Sequence, residues 1–350
     1  MNEGMAFGHY TVLEPLGEGG FSRVYRARDR RRGEDVALKV LDPAVTATTE
    51  GQQRFLREVE AARRLDFRHI VPVHEANILG GRAYLALRLM RGGTLAQRLK
   101  RERILDDTAA AQVMRHTARA LDYARGRGVV HRDVKPSNIF YQDDRVVCLG
   151  DFGLAKVRGL DTVTKLGQVI GSVYYMSPEQ VRGLAHTTVL SDVYALGVVL
   201  YEMLTGRVPF MGQTPNVVLE AIVREAPPSP RQFNSRISPG VEAVILRALH
   251  KTADRRYASA GELATAYQAA LPGPGRVVSP APGRRPAAQP AKPAQPAKPA
   301  QPVQPRPQAA RPKPAGRRKP ARRSTTERPE FWLAMLGLVG FILLLLYLVS

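Results

Sequence analysis

The chain has 350 residues, with 52 Lys and Arg against 31 Asp and Glu and a formal net charge of +21. That length allows more than one folding unit, and the single cysteine, Cys148, excludes an internal disulfide and fits a reducing compartment. The charge is concentrated: fourteen Lys or Arg and only two acidic residues lie between Pro272 and Glu330, which argues for a basic tail over a basic globule.

Met1 to Gly8 has no apolar core of the signal-peptide kind. To about Met90 the pattern is strand-like with one helix. Tyr10 to Leu16 and Arg23 to Arg28 flank a glycine-rich turn, Gly17-Glu18-Gly19-Gly20-Phe21-Ser22. Val36 to Leu41 and Ala83 to Leu89 are further strand-like runs. Between them, Glu50 to Leu65 has helical spacing, with Phe55, Val59, Ala62 and Leu65 on one stripe. Glu58 falls inside that stripe. A carboxylate on a packed face is costly unless paired, so a cationic partner is expected nearby.

From Gly92 the pattern becomes mostly helical. Asp106 to Arg125 reads as a long amphipathic helix, and a small hairpin is expected about Asp143-Asp144. Cys148 sits in the apolar run Val146-Val147-Cys148-Leu149 and is expected to be a small buried hydrophobe. Ser191-Asp192 resembles a helix N-cap. Val193 to Leu204 is apolar nearly all round, with Gly206 as its stop, and belongs in the middle of a large core. The helical region ends near Leu271.

Residues 272–330 differ in kind, with 16 prolines, a near-repeat of Ala-Lys-Pro-Ala-Gln-Pro and no large apolar side chains. Such a segment cannot bury enough surface to offset its ordering entropy, so a disordered, partly polyproline-like linker is expected. Its mean reach would be roughly 40 Å. Phe331 to Val349 then gives 19 residues without a charge, with Trp332 and Tyr347 near its ends. At about 1.5 Å per residue this matches a bilayer core, so a single transmembrane helix is expected. The Arg317-Arg318-Lys319 and Arg322-Arg323 clusters precede it, which orients the N-terminal portion to the cytoplasm and leaves Ser350 alone beyond the span.

The densest chemistry is His131-Arg132-Asp133-Val134-Lys135-Pro136-Ser137-Asn138, followed by Asp151-Phe152-Gly153. It offers a carboxylate to accept a proton, an ammonium to neutralise phosphate, and an amide oxygen and second carboxylate for one metal. Phosphoryl transfer from a nucleotide needs that set. Glycines in the turn at 17–20 let backbone approach phosphate oxygens, although many hairpins contain Gly-x-Gly. No second His or Cys stands at metal-ligand spacing, so no zinc site is expected.

These residues resemble the catalytic and metal-binding loops of protein kinases, most closely the bacterial eukaryotic-like (Hanks-type) serine/threonine class, over roughly residues 8 to 271. The resemblance implies an α+β, two-lobed fold: a β-rich N-lobe over about 10–90, a helical C-lobe over about 91–271, and a short tail at 1–9. It implies ATP and Mg²⁺, with Mn²⁺ as a substitute, and protein Ser or Thr as acceptors. Asp133 would accept the hydroxyl proton and Lys135 would neutralise the transferred group. Asn138 and Asp151 would hold the metal. Lys39, in Val36-Ala37-Leu38-Lys39, would hold the phosphates and pair with Glu58. Leu16, Gly17, Glu18, Gly19, Gly20, Val24, Ala37, Leu87, Leu89, Met90 and Phe140 would surround the nucleotide. Arg88 stands at a hinge position that is often acidic in the family.

Thr164, or Thr162, would be phosphorylated in the activation segment, with Arg132 receiving the phosphate. Ser172 keeps a hydroxyl that could bond Asp133. Asp192 would bond the catalytic loop, and Arg256 would pair with Glu179 in Ser177-Pro178-Glu179. The resulting expectation is a membrane-anchored serine/threonine kinase facing the cytoplasm. Its basic linker could contact anionic lipid, and homodimerisation could support autophosphorylation. The alternatives are a catalytically weak, nucleotide-binding scaffold and a small-molecule kinase, the latter opposed by the Ser177-Pro178-Glu179 segment.

Overall fold

The computed structural model describes residues 2–19, 22–152, 172–183 and 187–272. Gly20, Thr162, Thr164 and the stretch 273–350, with nearly all of the linker and the whole expected span, lie outside the described residues. Among the described residues no helix is long and apolar enough to cross a membrane.

The N-terminal portion is an antiparallel sheet of β1 (Ala6–Phe7), β2 (Tyr10–Gly19), β3 (Ser22–Asp29), β4 (Glu34–Leu41), β5 (Val73–Leu79) and β6 (Arg82–Arg88). Its spatial order is β1-β2-β3-β4-β6-β5. The period of two decides what each face buries. In β6, Tyr84 and Ala86 join Tyr10, Ala27, Val36 and Leu38 on one side, while Ala83 and Leu85 join Phe55 and Val59 on the other. A strand covered on both faces reads as a continuous apolar run, which is why β6 was legible. β5, an edge strand with the mixed sequence Val-His-Glu-Ala-Asn-Ile-Leu, carries no such signal and was not expected, nor was the two-residue β1.

Helix α1 (Thr49–Arg63) packs Phe55 and Val59 beneath the sheet, while Ala62 joins the larger core with Leu65 and Ile70. Thr48 caps it, accepting from Gly51 N at 3.0 Å. Residues Gly92 and Gly93 then stitch the chain to the second lobe, through Gly92 N to Tyr141 O and Tyr141 N to Gly93 O, both 2.9 Å. A Cβ on Gly92 would stand 2.6 Å from the Tyr141 carbonyl oxygen, so only glycine fits that approach.

The second lobe contains α2 (Leu95–Glu102), α3 (Asp107–Arg125), the hairpin β7 (Ile139–Asp143) and β8 (Val146–Leu149), α4 (Pro178–Arg182) and α5 (Val189–Thr205). It is completed by α6 (Pro215–Arg224), α7 (Pro239–Ala248) and α8 (Ala260–Ala270). Helix α5 is the axis of the core, with an unbroken buried run from Ser191 to Tyr201. Each buried Leu or Val there contributes about 1.5–3 kcal/mol relative to exposure, as an upper bound. Its start differs from the sequence reading. The N-cap is Thr188, in a capping box with Ser191, and Asp192 lies inside the first turn. Asp192 is therefore free of capping and points to another task. Gly206, at φ 74°, ends the helix.

Candidate active site

The loop from His131 to Asn138 lies between α3 and β7, and a buried carboxylate shapes it from below. Asp192 Oδ2 accepts from His131 N, and its Oδ1 accepts from Arg132 N, each at 2.8 Å. Burial pushes the Asp192 carboxyl up, while His131 and Arg132 act in the opposite sense. His131 Nδ1 accepts from Asp133 N at 3.2 Å, so its Nε2 carries the proton and donates to Gly150 O at 2.8 Å. The imidazole thus ties the loop to the residue preceding Asp151, and its ring meets Phe152 edge-on at 4.5 Å. Arg132 and Asp151 both sit at positive φ, 67° and 66°, a conformation that costs side-chain-bearing residues energy and clusters at functional sites.

This scaffold presents Asp133. Lys135 Nζ donates to Asp133 Oδ2 at 2.8 Å and to Ser172 Oγ at 2.7 Å, so Ser172 reaches Asp133 through the lysine. Asn138 Nδ2 donates to the Asp133 carbonyl at 2.7 Å and to Oδ2 at 3.3 Å. With its nitrogen so committed, the Asn138 amide oxygen is the atom left to accept. Gly150 N donates to Asn138 O at 2.9 Å, which keeps Asn138 beside Asp151. Both offer hard oxygen donors of the kind a small divalent cation takes, and they stand where phosphate oxygens could complete the shell.

The sheet supplies the opposite wall. Val24 pairs with both Gly17 and Lys39, and Ala37 pairs with Leu87, so these side chains share one face. Val24, Ala37 and Leu87 are half-buried, as are Leu89 and Met90 just beyond β6. Phe140 enters from β7, its ring against Gly150, where a Cβ would fall 2.8 Å away. Leu16, Gly17, Glu18 and Gly19 are exposed at the rim, and Arg88 is exposed.

Lys39 crosses between the walls. Its Nζ is 2.6 Å from Asp151 Oδ2, and the two side chains are 6% and 13% exposed. The sequence reading paired Lys39 with Glu58. Asp151 is one partner of Lys39, and Glu58, half-buried on α1, also favours the charged state of Arg132. Burial is the main influence on Arg132 and lowers its basicity.

Below the site, Arg256 Nη1 and Nη2 meet Glu179 Oε1 and Oε2 at 2.7 and 2.8 Å. Burial would raise Glu179, but Arg256, with help from Ser191, brings it down to about 2. Gln180 was not singled out from sequence. Its Nε2 donates to Arg132 O at 2.9 Å and its Oε1 accepts from Ser177 N at 3.0 Å, so it joins the Ser177 cap to the catalytic loop. The Ser177-x-x-Gln180 spacing of a capping box was the available signal.

A family model for the protein kinase domain matches residues 10–267. The serine/threonine-protein kinase PknE of Mycobacterium bovis is 38% identical over 269 residues, covering 77% of this chain and 47% of PknE. For PknD of Mycobacterium tuberculosis the identity is 36%, covering 77% and 40%. The chain therefore spans about half the length of these relatives, or less. Among solved structures, the Mycobacterium tuberculosis PknI kinase domain superposes with a TM-score of 0.63 at 28% identity, covering 77% of this chain and 100% of that domain.

Proposed function

This chain belongs to the protein kinase family, and from that membership we propose that it transfers the γ-phosphoryl group of ATP to Ser or Thr hydroxyls of proteins. The observation that carries the proposal is the convergence on Asp133 of Lys135 and Asn138, facing Lys39 and Asp151 across one cleft. The alternative of a catalytically weak scaffold would not need a carboxylate held at this precision by its own lysine and asparagine.

In the reaction, Asp133 accepts the proton of the acceptor hydroxyl as its oxygen attacks phosphorus. Lys135, already 2.8 Å from Asp133, offsets charge on the transferred group. Lys39 holds the phosphates, and Glu58 is assigned as its second partner. Val24, Ala37, Leu87 and Phe140 exclude water from the adenine. Mg²⁺, with Mn²⁺ as a substitute, would be held by Asn138 and Asp151 and would neutralise and orient the phosphate oxygens.

Phosphorylation at Thr164 or Thr162, received by Arg132, completes this reading. Arg132 supports it as a half-buried guanidinium with no ion pair among the described residues. Residues 331–349 anchor the chain in a membrane, with the kinase domain in the cytoplasm. Purified protein given labelled ATP is expected to incorporate phosphate. Asp133→Asn should lower the rate roughly 100-fold to 10,000-fold, the usual contribution of a positioned base. Equal incorporation by both proteins would overturn the proposal.

A further inference from the structure

The outer face of α3 carries charge that the cleft does not use. Arg115 and Arg119 stand one helical turn apart on it, both exposed. Arg68 is exposed on the loop that follows α1. That loop is fastened to α3 by Tyr123 Oη donating to Asp66 O at 2.6 Å and by Phe67 stacked on Tyr123 at 4.5 Å. A second stack, His69 on His116, joins the same two elements at 4.0 Å.

Some other surface arginines have carboxylates. Arg23 has Glu18, Arg26 and Arg28 share Asp35, Arg54 has Glu50 and Arg98 has Glu102. Among the described residues, the side chains of Arg68, Arg115 and Arg119 have neither an ion pair nor a hydrogen bond. A buried imidazole pair lies beneath them. His69 is 1% exposed and His116 is 6% exposed. His69 Nδ1 donates to Val147 O at 3.0 Å, and its Nε2 is buried without a hydrogen-bond partner among the described residues. His116 Nδ1 accepts from Val147 N at 3.2 Å. Burial first, with Arg68, Arg115 and Arg119 acting in the same sense, lowers the basicity of both imidazoles. Three exposed guanidinium groups thus flank one buried imidazole pair, and none of them is bonded to a carboxylate among the described residues.

We propose that Arg68, Arg115 and Arg119 form a docking surface for a phosphorylated Ser or Thr segment of a protein. A phosphomonoester carries nearly two negative charges and three acceptor oxygens, which suit several guanidinium forks at one point. A membrane surface fits less well. None of the exposed large apolar side chains among the described residues belongs to α3 or to the loop at 64–70, whereas interfacial binding needs apolar burial beside the charge. The choice of occupant rests on the kinase reading, since phosphorylated segments on substrates and on other copies of this chain are its products.

The test is a binding titration on the full chain without ATP, so it stands apart from any failure of phosphate transfer. The probe is a labelled peptide of residues 156–171 carrying phosphothreonine at Thr162 and Thr164, compared with the same peptide unphosphorylated. The wild type should prefer the phosphopeptide about tenfold or more. Arg68→Gln/Arg115→Gln/Arg119→Gln should lower that preference about threefold or more, the remainder belonging to Arg132, while phosphate incorporation stays unchanged. A control with equal charge loss, Arg54→Gln/Arg63→Gln/Arg64→Gln, should keep it. No preference in the wild type, or full preference in the first variant, overturns the proposal. So does loss, in that variant, of binding to phosphatidylglycerol vesicles alone, which would make the patch a membrane contact.

Discussion

Asp192, buried, and Glu179, half-buried, show how single carboxylates hold the site from outside it. Asp192 takes two backbone N–H groups of the loop, and Glu179 takes both forks of Arg256, whose side chain is fully buried. The Arg256 guanidinium also donates to Leu190 O and His250 O, both at 2.8 Å. Arg256→Ala should therefore cost about 3–5 kcal/mol, because it leaves a buried charge uncompensated. Denaturant titration checks this. The pH dependence has a definite sign. Glu179 is lowered from 4.5 to about 2 on folding, so its stabilisation is present above pH 4.5 and is lost as pH falls from 4.5 toward 2. Acid unfolding of the wild type should steepen across that window, and Glu179→Gln should flatten it. The catalytic residues were legible because several exact residue types recur at short spacing. The Lys39–Asp151 contact was not, since it joins positions 112 apart and depends on how the lobes close.

Among the elements, α1 was legible from its apolar stripe and α5 from its unbroken apolar run, whereas β5 and the start of α5 were not. An edge strand is half solvated on both faces and leaves little alternation to read, as β5 shows. At α5 the polar pair Ser191-Asp192 looks like a cap, but Thr188 also caps, and only the tertiary demand of the loop decides that Asp192 goes inward. The packing of α5 makes its own prediction. A Cβ on Gly197 would lie 2.7 Å from Ala248 Cβ on α7, between two backbones with little room to shift. Gly197→Ala should destabilise by about 1–3 kcal/mol, the usual cost of overpacking. Gly197→Ala/Ala248→Gly should recover part of that loss, measured by thermal unfolding with the single variants alongside.

For the whole molecule, the two readings of the sequence differ in reach. The kinase domain rests on spacing, register and relatives that agree over residues 10–267. The anchor rests on composition alone, in a stretch outside the described residues. Removing residues 331–350 should move the protein from the membrane pellet to the supernatant and leave phosphate incorporation per molecule unchanged. An unchanged distribution would remove the anchor from the proposal.

The Lys39–Asp151 bridge sets terms for whatever enters the cleft. A triphosphate arriving there does not fill a vacancy; it competes with a carboxylate for an ammonium that is almost shut off from solvent. A visitor carrying its own anions and a cation can satisfy both halves of the severed bridge. A bare nucleoside brings neither an anion for the lysine nor a cation for the carboxylate. Charged nucleotides are therefore expected to compete for this bridge in a way that uncharged nucleosides do not.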